Sequence, residues 1–251
     1  MARSRVVLVT GASSGIGEAT ARALVAEGAH VIGVARRKDR LERLSKELHG
    51  GPGSLSVLTA DLTAPGAAPR VIDEAIASGG RLDALVNNAG IMLLGPLETT
   101  DPAEWDEMLQ INVHAVLRLT SAALPHLLRS AAEPDGVADI VNISSTAGRI
   151  ARLGAGVYNA SKFALNAFSE SLRQELAPRF VRVSLVEPGL VLTELTSHIR
   201  NARSREAADQ SRAAIASLQA TDVARVVSFI LAQPRHVAIN EVLMRPTEQQ
   251  P

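Results

Sequence analysis

Cysteine is absent from the sequence, which excludes disulfides and thiolate–metal sites and leaves nothing that points to an oxidising compartment. Aromatic side chains make up only 2% of the residues while hydrophobic ones reach 46%, so any core must be packed from Ala, Val, Leu and Ile. Neither sign of charge prevails: 26 Lys and Arg balance 26 Asp and Glu, which argues against a nucleic acid or a membrane surface held by bulk charge. Long apolar runs are missing as well. The first begins at Val6 and stops at Thr10 in a glycine-rich turn, too short for a membrane span or the apolar region of a signal peptide. With no ligand set for a metal, these absences lead to the expectation of a soluble, cytoplasmic protein. A chain of 251 residues is long enough for one large α/β domain or two small ones.

What is present is a regular alternation. Arg5 to Thr10 is a β-branched apolar run suited to a strand buried on both faces. It passes into Gly11-Ala-Ser-Ser-Gly-Ile-Gly17, then into an alanine-rich helical stretch over Glu18 to Glu27, which Gly28 is placed to end. Val31 to Ala35 reads as a second strand and Asp39 to Leu48 as a helix. Further strands are expected at Leu55–Ala60, Leu82–Val86, Val137–Ile143, Val181–Val186 and Ile239–Met244. Helices are expected at Pro69–Ala77, Pro102–Arg129 and Gly156–Leu176, and another through Leu231 capped by Thr221-Asp222. Residues 194–217 are polar, arginine-rich and only weakly helical, and fit a substrate lid. No repeat or linker divides the chain, so residues 1–251 are expected to form a single domain. Its fold would be a doubly wound, mostly parallel seven-stranded sheet with helices on both faces, the Rossmann arrangement. Gly11, Arg36, Asp61, Asn88, Ser145 and Pro188 all follow strand ends, on the one rim where such sheets bind ligands.

The turn after the first strand has the spacing Gly-x-x-x-Gly-x-Gly. Glycines there allow a tight turn and close approach of backbone to a pyrophosphate at a helix N-terminus. Where an acid would bind a ribose 2′-hydroxyl, the second strand ends in Ala35 followed by Arg36 and Arg37. Arginines there suit a 2′-phosphate, and so NADP(H) rather than NAD(H). The alternative is a solvated basic start to the next helix, paired with Asp39 or Glu42. Asp61 would accept from an adenine amino group or cap a helix.

Tyr158, the only tyrosine, lies four residues before Lys162 in the expected helix, so phenol and ammonium share one face. A neighbouring cation favours phenolate and lowers the tyrosine's pKa from its usual value of about 10. Ser145, at the tip of the preceding strand, would hydrogen-bond a substrate oxygen beside the phenol, or else serve as a turn cap. Asn112 sits inside an apolar helical stretch where a buried amide needs partners, or kinks the helix.

These motifs together resemble the short-chain dehydrogenase/reductase family over essentially the full length. The match rests on Thr10-Gly-Ala-Ser-Ser-Gly-Ile-Gly17, Asn87-Asn-Ala-Gly90, Asn112, Ser145, Tyr158-x-x-x-Lys162 and Pro188-Gly189, in order and at spacing. It resembles the compact single-domain branch. Asn88–Pro96, Ala123–Arg129 and Asn240–Thr247 are further similar to the clavulanic acid (clavaldehyde) dehydrogenase and NADP-dependent 3-hydroxy acid dehydrogenase group.

The resemblance implies an NADPH-dependent oxidoreductase that interconverts a carbonyl and an alcohol. Tyr158 would be the acid and base, and Lys162 would bind the nicotinamide ribose and lower the tyrosine's pKa. Ser145 would orient the substrate oxygen, and Asn112 would hold a water linking Lys162 to solvent. Residue reading and resemblance together set NADP(H) against Gly11, Ser13, Ser14, Gly15, Ile16 and Gly17 of the turn, and against Arg36, Arg37, Asp61 and Leu62. Asn88, Ala89 and Gly90 complete the ribose side; Pro188, Gly189, Val191 and Thr193 complete the nicotinamide side, with Tyr158 and Lys162. Some NADP-dependent members carry a basic residue where this turn has Ser14, so the NADP reading rests on Arg36 and Arg37.

The substrate, a small carbonyl or alcohol compound, would meet Ile91–Leu94, Ile150, Leu153 and Leu190–Leu195. Arg149 and Arg152 flank that wall, as receivers of a substrate carboxylate or as solvated surface residues. Alanine-rich helix faces fit the homodimer or homotetramer usual in the family. An NADP(H)-binding redox sensor without turnover is the alternative function, disfavoured by the intact Asn-Ser-Tyr-Lys set.

Overall fold

The structure, a computed structural model, describes residues 4–250; the termini of the expected domain, 1–3 and 251, lie outside the described residues. Strand β1, Val6–Thr10, is buried at all five positions, and its alternation feeds two cores. Val6 and Leu8 pack on one face of the sheet with residues such as Val71 and Leu119. Val7 and Val9 pack on the other with Leu24, Val25 and Val227. A strand apolar at every position is what a sheet covered on both sides requires.

From β1 the chain runs through α1 (Gly15–Ala26), β2 (His30–Ala35), α2 (Lys38–Glu47), β3 (Ser54–Thr59), α3 (Ala67–Gly79) and β4 (Ala84–Asn87). It continues through α4 (Pro102–Leu109), α5 (Ala115–Ala131), β5 (Ala138–Ile143), α6 (Gly156–Leu176) and β6 (Val181–Pro188). The last elements are β7 (Val191–Leu192), α7 (Ala202–Ala213), β8 (Leu218–Gln219), α8 (Ala220–Leu231) and β9 (Glu241–Met244). Seven strands form one sheet in the order β3-β2-β1-β4-β5-β6-β9. Every pairing in it is parallel, as in Val6 opposite His30 and Val7 opposite Ala84. The order reverses between β1 and β4, which opens a crevice beyond their carboxyl ends. Gly28, at φ 90°, ends α1 as expected.

Three local features depart from the sequence expectation. The single helix expected over 102–129 is interrupted by a π-helical turn, Gln110–His114, between α4 and α5. Helix α8 starts earlier than expected: its N-cap is Gln219, whose N–H donates to Asp222 Oδ2 at 2.8 Å. Residues 194–217 are more ordered than a weakly helical lid. A short 3-10 turn (Glu194–His198) leads into α7, and β7 and β8 flank the segment as a separate two-stranded parallel pair. No helix among the described residues is long and apolar enough to cross a membrane.

Candidate active site

The rim of the sheet is pinned at the reversal point by Thr10. Its hydroxyl accepts from the backbone N–H groups of Asn88 (2.9 Å) and Ala89 (3.0 Å), while Asn88 Nδ2 donates to the Thr10 carbonyl at 2.9 Å. The glycine turn is packed against this joint. Gly11 has φ 67°, and a Cβ there would meet Asn88 Nδ2 at 2.8 Å; one on Gly17 would meet the Gly11 carbonyl oxygen at 2.4 Å. The turn therefore tolerates no side chain at either position, and its backbone remains open to the cleft. Helix α1 begins without a side-chain cap, since the Ser14 hydroxyl is turned to Arg37 instead.

A cleft of about 790 Å³ runs along this rim, a volume suited to a cofactor together with a small ligand. Gly11, Ser13, Ser14, Gly15 and Ile16 line it from the turn, followed by Arg36, Arg37, Asp61 and Leu62. Asn88, Ala89 and Gly90 form its middle, and Pro188, Gly189, Val191 and Thr193 its far side, with Ser145, Tyr158 and Lys162. Of the catalytic and cofactor-binding residues expected from sequence, only Gly17 and Asn112 are absent from the lining, Gly17 because it sits beneath the turn.

At the basic end, Arg37 takes neither Asp39 nor Glu42 as partner. It donates to Ser13 Oγ (3.2 Å), Ser14 Oγ (2.6 Å) and Glu194 Oε2 (2.8 Å). Glu42 is paired with Lys38 at 3.5 Å. Arg36 is exposed at the cleft edge. Asp61 accepts from the Thr63 hydroxyl (2.7 Å) and N–H (2.9 Å), which closes a local turn; it caps no helix, since α3 starts at Ala67 with Gly66 as its N-cap. Those two bonds, with a smaller pull from Arg36, hold its carboxyl below the usual range.

At the other end, Tyr158 and Lys162 are both buried on α6. Burial pushes the phenol up to about 12, and a hydrogen bond with Ser145 works against that rise. Burial also lowers the Lys162 ammonium to about 8. In the chain by itself, desolvation disfavours the charged form of both groups and outweighs the cation's pull on the phenol that the i,i+4 spacing implies. Lys162 Nζ lies 5.8 Å from the ring centroid and donates to the Ile143 carbonyl at 3.0 Å. Ser145 also caps the turn after β5, accepting from the Ala147 N–H at 3.1 Å.

Asn112 is not at the cleft surface. It is 1% exposed, its Oδ1 accepting from Ile91 N–H (2.9 Å) and its Nδ2 donating to Ile91 O (2.9 Å) and Ser161 Oγ (3.2 Å). The amide braces the loop after β4 against α6 from the π turn, so the structural alternative describes its contacts. Arg149 does not line the cleft, and its surface alternative holds only in part: the side chain is 40% exposed but ion-paired. Its guanidinium grips Glu187 at 2.8–3.0 Å and also reaches Glu241. Arg152 has no such partner among the described residues and lines the cleft. On the apolar wall, Ile91, Met92, Leu94, Leu153, Leu190 and Leu195 line the cleft; Leu93, Ile150 and Leu192 do not.

Two contributors went unnoticed in the sequence. Glu187, wholly buried at the end of β6, accepts from Asn166 Nδ2 (2.6 Å) besides Arg149. A carboxylate directly before Pro188-Gly189 in an apolar strand was the available signal. Gln249, from the polar tail, folds back so that its Oε1 accepts the Leu190 N–H at 2.8 Å and lines the cleft.

Comparison with known proteins agrees with this geometry. The short-chain dehydrogenase family profile matches residues 5–204. Serine 3-dehydrogenase of Agrobacterium fabrum is 36% identical, the match covering 98% of this chain and 95% of that protein. Among solved structures, the closed form of a serine dehydrogenase complexed with NADP+ superimposes with a TM-score of 0.84 at 33% identity, covering 98% and 96% of the two chains. An alcohol dehydrogenase of the archaeon Thermococcus sibiricus, complexed with 5-hydroxy-NADP, gives 0.86 at 26% identity and 99% coverage of both. With a profile match over most of its length and a relative of this similarity, the chain belongs to the short-chain dehydrogenase family of oxidoreductases.

Proposed function

We propose that the protein is an NADP(H)-dependent dehydrogenase/reductase that interconverts a small 3-hydroxy acid and the corresponding carbonyl compound. The observation that carries this reading is one continuous cleft, with the glycine turn and Arg36-Arg37 at one end and the Tyr158–Ser145 pair with Lys162 at the other. NADP(H), bound along that cleft, would supply or accept the hydride; the protein supplies orientation and the proton.

Arg36 and Arg37 hold the 2′-phosphate, and the open turn from Gly11 to Gly17 receives the pyrophosphate. Val191 and Thr193 meet the carboxamide end. Ser145 donates to the substrate oxygen, and Tyr158 delivers its hydroxyl proton to that oxygen during reduction and recovers it during oxidation. A phenol held protonated by burial is suited to the acid role. In the oxidative direction, the Lys162 ammonium and a cationic nicotinamide ring both favour phenolate. Arg152, without an ion-pair partner among the described residues, lines the cleft and suits a substrate carboxylate, which accords with the likeness to serine 3-dehydrogenases. The outward sides of α5 and α6, including Leu117 and Phe163, suit a homodimer or homotetramer.

NADPH oxidation with a panel of 3-oxo acids, ketones and aldehydes tests this reading, alongside NADP+ reduction by serine and other 3-hydroxy acids. Arg36→Ala with Arg37→Ala should weaken NADPH binding at least tenfold more than NADH binding. Equal losses contradict the cofactor assignment. Tight NADPH binding with no turnover on any member of the panel would favour a redox sensor.

A further inference from the structure

Glu194 reaches across the cleft from the far rim. Its carboxylate is shared between Arg37 Nη1 (2.8 Å) and Arg40 Nη1 (2.8 and 2.9 Å), both belonging to the α2 side. The residue before it, Thr193, is itself anchored. The Thr193 carbonyl accepts from Arg212 Nη1 at 2.7 Å, and its hydroxyl caps the 194–198 turn. Arg212 is held in turn by Asp209 of α7 at 3.0 Å. The contact thus ties the 194–213 segment to the basic edge of the cleft.

The chemistry of this contact is that of a phosphate site already filled by a carboxylate. Two guanidinium groups converge on one anion, and Arg37 also reaches both serines of the glycine turn. The three side chains are 32–46% exposed, so water and ions reach them and each pair is weak. The arginines hold the Glu194 carboxyl below its usual range, so it is anionic wherever the protein is folded at neutral pH. A phosphate monoester carries a charge of about −1.5 to −2 and three acceptor oxygens, and is a stronger partner for an arginine pair. A ribose 2′-hydroxyl has no charge with which to compete.

We propose that Glu194 is a specificity-determining residue for the cofactor, a built-in competitor that a 2′-phosphate displaces from Arg37 and Arg40 and an unphosphorylated ribose does not. Arg40, one turn along α2 from Arg37, is then a ligand of the same phosphate. Displacement unties the 194–198 turn from α2, so the segment over the cleft responds to NADP(H) and not to NAD(H). The inference rests on the NADP(H) reading above and goes beyond it by naming what the phosphate must replace.

Titration calorimetry on the full chain tests it, with NADPH, NADH and adenosine 2′,5′-bisphosphate as ligands for wild type, Glu194→Gln and Arg37→Ala. Glu194→Gln should tighten NADPH and the bisphosphate about tenfold, equivalent to about 1.4 kcal/mol, and change NADH less than twofold. Glu194→Ala, which removes any residual amide contact, should reproduce that pattern. Unchanged or weakened phosphate ligands in both Glu194 variants, with Arg37→Ala still losing NADPH selectively, overturn the competitor role and leave the NADP(H) reading standing. If Arg37→Ala affects NADPH and NADH alike, the NADP(H) reading itself falls, and the inference with it.

Discussion

Arg149→Ala should destabilise the protein more than Glu187→Ala, although the two side chains share one ion pair. Glu187 is completely buried, and its two oxygens accept from Arg149 Nε and Nη2 at 2.8–3.0 Å and from Asn166 Nδ2 at 2.6 Å. Arg149 is 40% exposed and retains Glu241 as a second partner. Removing the arginine strands a buried carboxylate with one amide donor. Removing the glutamate leaves a solvated, still-paired guanidinium, and Asn166 keeps its bond to the Gly148 carbonyl. Breaking a fully buried pair costs about 3–5 kcal/mol; with one partner partly solvated we expect about 2–3 kcal/mol for Arg149→Ala. Glu187→Ala should cost about 1–2 kcal/mol, at the scale of lost hydrogen bonds. In a chain of this size, 2–3 kcal/mol lowers Tm by roughly 5–10 °C. Urea unfolding of both single variants and the double variant gives the comparison. The double variant should cost less than the sum, since no buried charge remains. A smaller loss in Arg149→Ala than in Glu187→Ala, or strict additivity, would refute the reasoning.

Two further predictions concern the turn and the buried lysine. Gly17→Ala places a methyl 2.4 Å from the Gly11 carbonyl oxygen and 2.5 Å from Asn88 Nδ2, where backbone cannot yield cheaply. It should cost about 1–3 kcal/mol and weaken NADPH binding, measured by urea unfolding and cofactor titration; an unaffected variant would mean that the turn is looser than described. Lys162 has a folded pKa of about 8 against an ordinary 10.5, so between those values the unfolded chain binds the extra proton. Wild-type stability should therefore rise with pH in that window, by up to about 1.4 kcal/mol per unit, relative to Lys162→Met. Tyr158, whose folded pKa is raised to about 12, acts in the opposite sense only above its ordinary 10. Unfolding free energies at pH 7 and near pH 10 separate the two; a flat difference between wild type and variant would show that Lys162 is not buried as described.

Much of the fold is legible because its signals are local. The uninterrupted apolar run of β1 announces a strand covered on both faces, and α6 spans Gly156–Leu176 as its spacing implies. The cleft rim follows from strand ends alone, since a parallel sheet puts them all on one side. What escaped is non-local or too brief to leave a pattern. Arg37 meets Glu194 across 157 positions, and Arg149 meets Glu187 across 38, neither of which any spacing rule couples. The π turn at 110–114 adds no break to an apolar stretch already rich in Ala and Leu, and two-residue strands such as β7 and β8 have no periodicity to detect. The rise of the Tyr158 pKa in the chain by itself is not legible in the sequence, because i,i+4 spacing reports proximity of a cation but not burial. Desolvation is a property of the assembled core, which around Tyr158 is built from Ile91 and Leu93 after β4, Met108 of α4 and Ala147.

The central claim is that the Tyr158 hydroxyl moves the proton between protein and substrate oxygen. Tyr158→Phe removes that oxygen alone and leaves the ring packed with Ile91, Leu93 and Met108. On the substrate that wild type turns over best, kcat should fall by at least about a thousandfold, at the scale of losing a positioned proton donor, while the Kd for NADPH stays within about threefold. Turnover retained within tenfold of wild type, with cofactor binding intact, would contradict the account.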